Sequence, residues 1–255
     1  KYEILYDQIQ EARREDDEYL EQGVWQKNLK RADWPTVKKL CSDALTKTTK
    51  DLQITVWLTE AFAVQNGIDG LLKGISILNA LSQQYWDSIF PPKDDDIEYR
   101  ITPYVWLNEK IPIRLLYIPF AEPLLPGDSS FTFIDRENAL KIEEIIKKDP
   151  YAISEQELAQ KITFDKFNAA FNKTPITFYI ELTYSMFELE SFLDQRCGKQ
   201  SPSFSQIKST LSKIKRVLGD FYKLRQSEYP LSYSIDDVEA KTEQTPVQAE
   251  MEQID

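Results

Sequence analysis

Apolar residues recur at helical spacing along nearly the whole chain. Residues 2–16 carry one apolar stripe of an amphipathic helix, and Asp33 is placed to cap the next helix. Residues 51–65 are apolar on every side, which is typical of a helix surrounded by other helices. The pattern predicts a mainly α fold, a multi-helix, bundle-like domain.

Glycine and proline mark the expected breaks in this first half. Asn66-Gly67 is a stop signal, after which residues 68–84 return to helical spacing. Gly70 and Gly74 would weaken that second helix unless they let a neighbouring helix approach closely. We expect Thr102-Pro103 to begin a short helix that Pro112 constrains.

The middle of the chain looks least helical. Residues 113–135 contain RLLYIPF and FTFI, which have strand-like composition, and prolines and a glycine separate them. We expect a short β-hairpin or an irregular segment near 113–135. Helices should then resume at about 135–148, 154–161, 164–171 and 175–196, with a last one from about 203.

We divide the chain into three parts on this basis. Residues 1–150 form an N-terminal helical region, and residues 151–230 form a C-terminal helical extension packed on it. Residues 231–255 carry seven acidic residues against Lys241, a net charge of −6 out of −11 for the chain. We expect this tail to be a disordered acidic linker, with a partner-binding segment as the alternative.

Composition excludes several kinds of chemistry. The chain has no histidine, so Ser-His-Asp triads, Cys-His pairs and HExxH zinc helices are ruled out. Its seven glycines form no nucleotide-binding motif, and its acidic balance disfavours nucleic acid as a ligand. Cys41 and Cys197 stand far apart, so we expect reduced, buried thiols, with a single disulfide as the alternative. No cofactor or metal is expected.

Localisation follows from the same features. No apolar run approaches the roughly 20 residues of a membrane span, so we expect no direct membrane insertion. Lys1 opens the chain without a signal-like apolar region. We therefore expect a cytoplasmic protein, or a piece of one.

Two similar pentapeptides raise the question of catalysis. VWLTE (56–60) and VWLNE (105–109) each place a carboxylate after a Trp-Leu pair, and paired carboxylates beside aromatics are typical of glycoside hydrolases. Glu60, however, lies on the helix that is apolar all round, where a carboxylate needs a partner, and Arg100 is one candidate. We expect both glutamates to have a structural role in a scaffold. The similarity of the two pentapeptides is consistent with chance or with an ancient duplication.

Other polar and aromatic clusters have structural interpretations too. Asp94-Asp95-Asp96 lacks the spacing of a calcium loop and is expected to be a solvated loop that caps a helix. Five aromatic residues at helical spacing are expected in the core rather than in a ligand cage: Trp57, Tyr85, Trp86, Tyr104 and Trp106.

Several long motifs together carry a family resemblance. The segments are ADWPTVKKLCSDALTKTTKDLQITVWLTEAF, GIDGLLKGISILNAL, QYWDSIFPPKDDDIEYR and TPYVWLNE. In this order they resemble the ImpA-type N-terminal region of the TssA proteins of bacterial type VI secretion systems. The match covers roughly residues 2–120, and a weaker echo lies at 192–214. The family-motif and core residues are Trp34, Trp57, Leu58, Glu60, Tyr85, Trp86, Asp87, Pro91, Arg100, Pro103, Trp106, Leu107, Asn108 and Glu109.

The resemblance implies a mostly helical, non-enzymatic structural protein of the bacterial cytoplasm. Family members help to recruit or cap the contractile tail, and they contact the baseplate, the tube, the sheath and the envelope complex. In full-length members a C-terminal domain forms rings, so ring formation is expected only with that region. The same N-terminal region also occurs in membrane-anchored accessory proteins that hold the distal sheath end. A carboxylate-based hydrolase using Glu60 and Glu109 is the remaining alternative.

Overall fold

The part of the chain that the structure describes is mainly helical. The computed structural model describes residues 2–16, 29–92, 97–119, 130–171 and 177–225, and within these ranges it contains no β-strand, which confirms the mainly α fold. The helices are α1 Tyr2–Arg13, α2 Trp34–Lys47, α3 Leu52–Tyr85, α4 Glu98–Tyr117, α5 Phe133–Lys148, α6 Glu155–Gln160, α7 Phe164–Phe171, α8 Thr177–Cys197 and α9 Ser205–Arg225.

The chain forms two compact units, Lys1–Lys110 and Ile111–Asp255. In the first unit α1 packs on α2 and α2 packs on α3, and in the second α5 packs on α7 and α8 on α9. The division proposed from sequence, with a boundary at residue 150, stays a prediction. The aspartates at 94–96 and the acidic tail lie outside the described residues.

Helix α3 is folded into two arms at Gly67, as the stop signal predicts. Gly67 has φ 61° and ψ −140°, a backbone conformation that favours glycine. The arms pack closely: a Cβ on Gly74 would lie 2.7 Å from Thr59 Cα, and one on Gly70 would lie 2.0 Å from the Phe62 carbonyl oxygen. The two glycines therefore permit the two arms to approach closely, which compensates for the helix stability that glycine loses.

Side-chain caps begin the helices of both units. The Asp33 carboxylate accepts from the Thr36 amide at α2, as predicted, and the Asp51 carboxylate accepts from the Ile54 amide at α3. Ser154 forms the predicted capping box at α6, and Thr132 forms another at α5. Helix α5 consequently begins slightly before the expected position.

The prediction of a short helix at the second Val-Trp-Leu motif was wrong. Helix α4 begins at Glu98 and continues to Tyr117, so Pro103 and Pro112 both lie inside it. Pro103 and Pro112 are buried, as are Tyr104, Leu107, Ile111 and Leu115 of the same helix. Tertiary packing of this face outweighs the roughly 3 kcal/mol that an interior proline costs.

The strand-like segments near 113–135 are largely helical where they are described. RLLY belongs to α4, and the Phe133-Ile134 pair begins α5. Residues 120–129 lie outside the described residues, and the described residues on either side of them form no β-strand. The apolar residues that suggested strands in this region lie on helices instead, because β-propensity depends on the packing context. Among the described helices, none is long and apolar enough to cross a membrane.

Candidate functional site

The two Val-Trp-Leu motifs meet at one arginine. The Arg13 guanidinium carbon lies 5.3 Å from the ring centroid of Trp57 and 4.9 Å from that of Trp106, within cation–π range of both. Arg13 also donates to Glu60 Oε2, from Nε at 2.9 Å and from Nη2 at 2.6 Å. We call Arg13, Trp57, Glu60 and Trp106 the arginine cluster.

Three helices bring the arginine cluster together. Arg13 is the last residue of α1, Trp57 and Glu60 lie one turn apart on the first arm of α3, and Trp106 lies on α4. Tyr6, nearly two turns before Arg13, packs edge-on against Trp57 with ring centroids 5.1 Å apart. The cluster therefore fastens the end of α1 to two other helices of the first unit.

The arrangement does not form a carboxylate pair for hydrolysis. The Glu60 side chain is only 2% exposed and accepts two hydrogen bonds from Arg13, whereas Glu109 is exposed to solvent. A glycosidase requires both carboxylates in one open cleft that admits a sugar. Glu60 does not meet that requirement, because its carboxylate is buried and already paired with Arg13.

Arg100 has a different role from the one suggested by sequence. Arg13, rather than Arg100, forms the ion pair with Glu60. The buried Arg100 guanidinium donates to the backbone carbonyls of Pro91 (2.9 Å), Ile89 (3.0 Å) and Trp86, and it lies over the Trp86 ring. Arg100 thus fixes the segment between α3 and α4 by satisfying carbonyls that form no helix.

The same segment is also tied to the start of α3. Leu52 N–H donates to the Phe90 carbonyl at 2.9 Å, and Phe90 N–H donates to the Lys50 carbonyl at 2.8 Å. In addition, the buried hydroxyls of Ser82 and Tyr104 lie 2.7 Å apart and join the second arm of α3 to α4. The backbone hydrogen bonds of Phe90, together with those from Arg100, fix the YWDSIFPP segment, although most of its side chains are exposed.

Burial perturbs the pKa values of three titratable groups in the first unit, one of them on α1. Desolvation raises the pKa of Asp51, although hydrogen bonds from the Ile54 amide and the Tyr6 hydroxyl lower it. Burial, and then the nearby Asp51, raise the pKa of Tyr6. Burial also raises the pKa of the Cys41 thiol to about 12, which makes that thiol unreactive.

The family-motif residues divide by burial. Pro91 and Trp106 are half-buried, whereas Tyr85, Asp87 and Glu109 are exposed. The expectation that Tyr85 lies in the core was wrong, since this last residue of α3 is exposed to solvent. Cys197 is half-buried rather than buried, and neither Cys41 nor Cys197 forms a disulfide. The buried motif residues are Trp34, Trp57, Leu58, Glu60, Trp86, Arg100, Pro103, Leu107 and Asn108.

Sequence reasoning missed the partners of the motif residues. Arg13 lies in the charged part of α1, 47 residues before Glu60, and Tyr6 lies 45 residues before Asp51. Asp51 precedes an apolar helix and could have been identified as its cap. No local signal distinguishes Arg13 from its neighbour Arg14, which is half-exposed and pairs with Glu11 and Asp16.

An open groove lies between α1 and the start of α2. Ile4, Leu40 and Ala12 contribute its apolar part, and the acidic residues Asp7 and Glu11 also line it. Ile4 is 63% exposed. Among the residues that the structure describes, no group of histidine, cysteine, aspartate or glutamate side chains is arranged to hold a metal ion.

Comparison with known proteins gives concordant matches. The family model for the N-terminal ImpA domain of the type VI secretion system matches residues 1–109, nearly the whole first unit. A curated relative, the type VI secretion system component TssA1 of Pseudomonas aeruginosa, is 31% identical over 97 residues. That alignment covers 36% of this chain and 27% of the relative's length.

A solved structure is similar over most of the chain. It is the N-terminal domain, including the conserved ImpA_N region, of the TssA component from Burkholderia cenocepacia. Sequence identity is 30% and the TM-score is 0.69, and the alignment covers 88% of this chain and 86% of that chain. The likeness therefore extends into the second unit, beyond the residues matched by the family model.

Proposed function

We propose an assembly role for this chain, which belongs to the family of ImpA N-terminal domains of type VI secretion TssA proteins. In this role the chain is a non-enzymatic binding module. It helps to recruit or cap the contractile tail through contacts with the baseplate, tube, sheath or envelope complex. It acts in the bacterial cytoplasm, and ring formation is left to the C-terminal domain of full-length family members.

One observation carries the proposal: most of the family-motif residues are buried in the first unit, where they hold its helices together. Arg13 donates hydrogen bonds to the Glu60 carboxylate and lies within cation–π distance of both motif tryptophans. Arg100 donates hydrogen bonds to backbone carbonyls of the YWDSIFPP segment. The motifs thus set the shape of the first unit, and partners must contact its surface. A module of this kind needs complementary surface rather than a catalytic cleft.

A pairwise pulldown tests the proposal. The full chain is immobilised, and the sheath, tube, baseplate and envelope components of the same bacterium are offered one at a time. We expect retention of at least one component at physiological salt. An unrelated helical domain of similar negative charge is the control bait, because acidic proteins retain basic partners non-specifically. Retention of no component above that control would contradict the proposed role.

Two exposed apolar residues allow the contact face to be mapped. Ile4 on α1 and Tyr99 on α4 are 63% and 71% exposed, so Ile4→Asp and Tyr99→Asp should leave the fold intact. If only one of the two variants loses retention of the component, the helix that carries that residue forms the contact face. Light scattering on the same samples should give a monomer or at most a dimer, and a ring of many subunits would contradict the proposal.

A further inference from the structure

The second unit contains a groove with an apolar floor and a cationic rim. Leu116, Phe133, Ile134 and Val217 form the floor, and Arg136, Lys213 and Arg216 stand on the rim beside Glu137. Three cations against one acid give the rim a net charge of +2 in a chain whose net charge is −11. We call these residues the basic groove.

Arg136 has spare donor capacity at this position. Its Nη1 donates to Glu137 Oε1 at 3.2 Å, and its guanidinium lies 5.9 Å from the ring centroid of Phe164. Its Nε is buried and has no hydrogen-bond partner among the described residues. A buried donor without an acceptor is costly. A carboxylate that reached this rim could accept from Arg136, whereas Lys213 and Arg216 are exposed and open to pairing.

We propose that residues 231–239 of this same chain bind in the basic groove. Their sequence, LSYSIDDVE, alternates apolar and polar residues from Leu231 to Ile235 and then presents Asp236, Asp237 and Glu239. An extended segment places the alternate apolar side chains on one face, which suits the apolar floor. The acidic residues that follow match the charge of the rim.

The chain is long enough to return to the groove. Helix α9 runs from the lining residue Val217 to Arg225, about 12 Å at 1.5 Å per residue. Residues 226–230 can span up to about 17 Å when extended, which exceeds the distance back to Val217, so the segment that starts at Leu231 can reach the groove. Because the segment is tethered, its effective concentration at the groove is in the millimolar range, and even weak pairing keeps it bound.

Binding of this segment would mask the groove from other acidic partners. The apparent affinity of a competing ligand would equal its intrinsic affinity multiplied by the fraction of chains whose groove is open. The linker expected from sequence would then be confined to residues 240–255. The proposal does not depend on the role in secretion, since it concerns two parts of one chain.

Limited proteolysis of the full chain tests the proposal. Chymotrypsin cleavage after Tyr233 is followed by mass spectrometry, because the cleavage rate reports the unbound fraction of the segment. Lys213→Glu with Arg216→Glu should raise that rate roughly three- to tenfold, the range expected from losing two exposed ion pairs. Adding Asp236→Lys and Asp237→Lys to this variant should restore the slow rate. Free peptides of residues 228–243 with either sequence correct for intrinsic cleavage rates.

The matched control reverses charge elsewhere on the same unit. Lys141→Glu with Lys148→Glu changes two exposed lysines of α5 that do not line the groove, and this variant should be cleaved at the wild-type rate. Equal rates for the wild type and the groove variant would overturn the proposal. Protection that increases with protein concentration would also overturn it, because the segment would then come from a second copy.

Discussion

Arg13 donates two hydrogen bonds to a single oxygen of Glu60, although the two residues lie 47 positions apart in the chain. The guanidinium lies within cation–π distance of both motif tryptophans. Most of the ion pair is removed from water, with 17% of the arginine side chain and 2% of the glutamate side chain exposed. The first Val-Trp-Leu motif thus supplies a carboxylate for a structural ion pair.

Glu60→Ala should destabilise the fold, whereas Glu109→Ala should not. Removing Glu60 leaves a largely buried arginine without its acceptor, and breaking a buried ion pair costs roughly 3–5 kcal/mol. Glu109 occupies the equivalent place in the second motif but is exposed, so its removal should change stability by less than about 0.5 kcal/mol. Urea unfolding followed by circular dichroism measures both. Equal effects of the two substitutions would contradict the assigned roles.

Gly74→Ala should also destabilise the first unit. The new Cβ would lie 2.7 Å from the Thr59 Cα, so the two arms of α3 would have to move apart. Gly219 in α9 is the matched control, because a Cβ there meets nothing within 4 Å. Gly219→Ala should stabilise the helix by up to about 1 kcal/mol. Thermal melts of the two variants should therefore shift in opposite directions, and a shift of the same sign would refute the close approach of the arms.

The two cysteines should differ in reactivity. The raised pKa of Cys41, about 12, leaves almost no thiolate at pH 8, and its side chain is buried. Cys197 is half-buried, so it should react with a thiol reagent in the folded protein while Cys41 reacts only after unfolding. Cys197→Ser should remove the native reactivity. Fast labelling of the Cys197→Ser variant would show that Cys41 is accessible.

The stability contribution of Asp51 should depend on pH in the acidic range. Burial raises its pKa in the folded state above the unfolded value near 3.8, so ionisation reduces stability as pH rises through the raised pKa. Asp51→Asn keeps a capping side chain and removes this ionisation. Its stability relative to the wild type should therefore increase with pH and then level off. Urea midpoints between pH 3 and pH 7 measure the difference, and a flat difference would exclude the raised pKa.

Local signals in the sequence predicted much of the secondary structure. Asp33 and Ser154 cap helices as expected, and Gly67 breaks α3, because these features depend on residues within a few positions. Pro103 and Pro112 misled the prediction of α4, because the outcome there depends on tertiary packing rather than on nearby residues. Their local cost is outweighed by burial of α4, and a single sequence does not show that burial.

The arginine cluster could be predicted only in part. Glu60 was identified as a buried carboxylate that needs a partner, since it lies on a helix that is apolar all round. Its partner could not be assigned, because Arg13, Arg14 and Arg100 are all cations within the first unit and only the packing of α1 selects among them. Long-range pairing is a property of the tertiary structure rather than of local pattern.

A double-mutant cycle between Arg13 and Glu60 tests most directly whether the Val-Trp-Leu motifs build a scaffold. Unfolding free energies are measured in urea for the wild type, Arg13→Ala, Glu60→Ala and the double variant, with Arg14→Ala as the control partner. We predict a coupling energy of roughly 2 kcal/mol or more for Arg13 with Glu60, and about zero for Arg14 with Glu60. A coupling energy near zero between Arg13 and Glu60 would contradict the account.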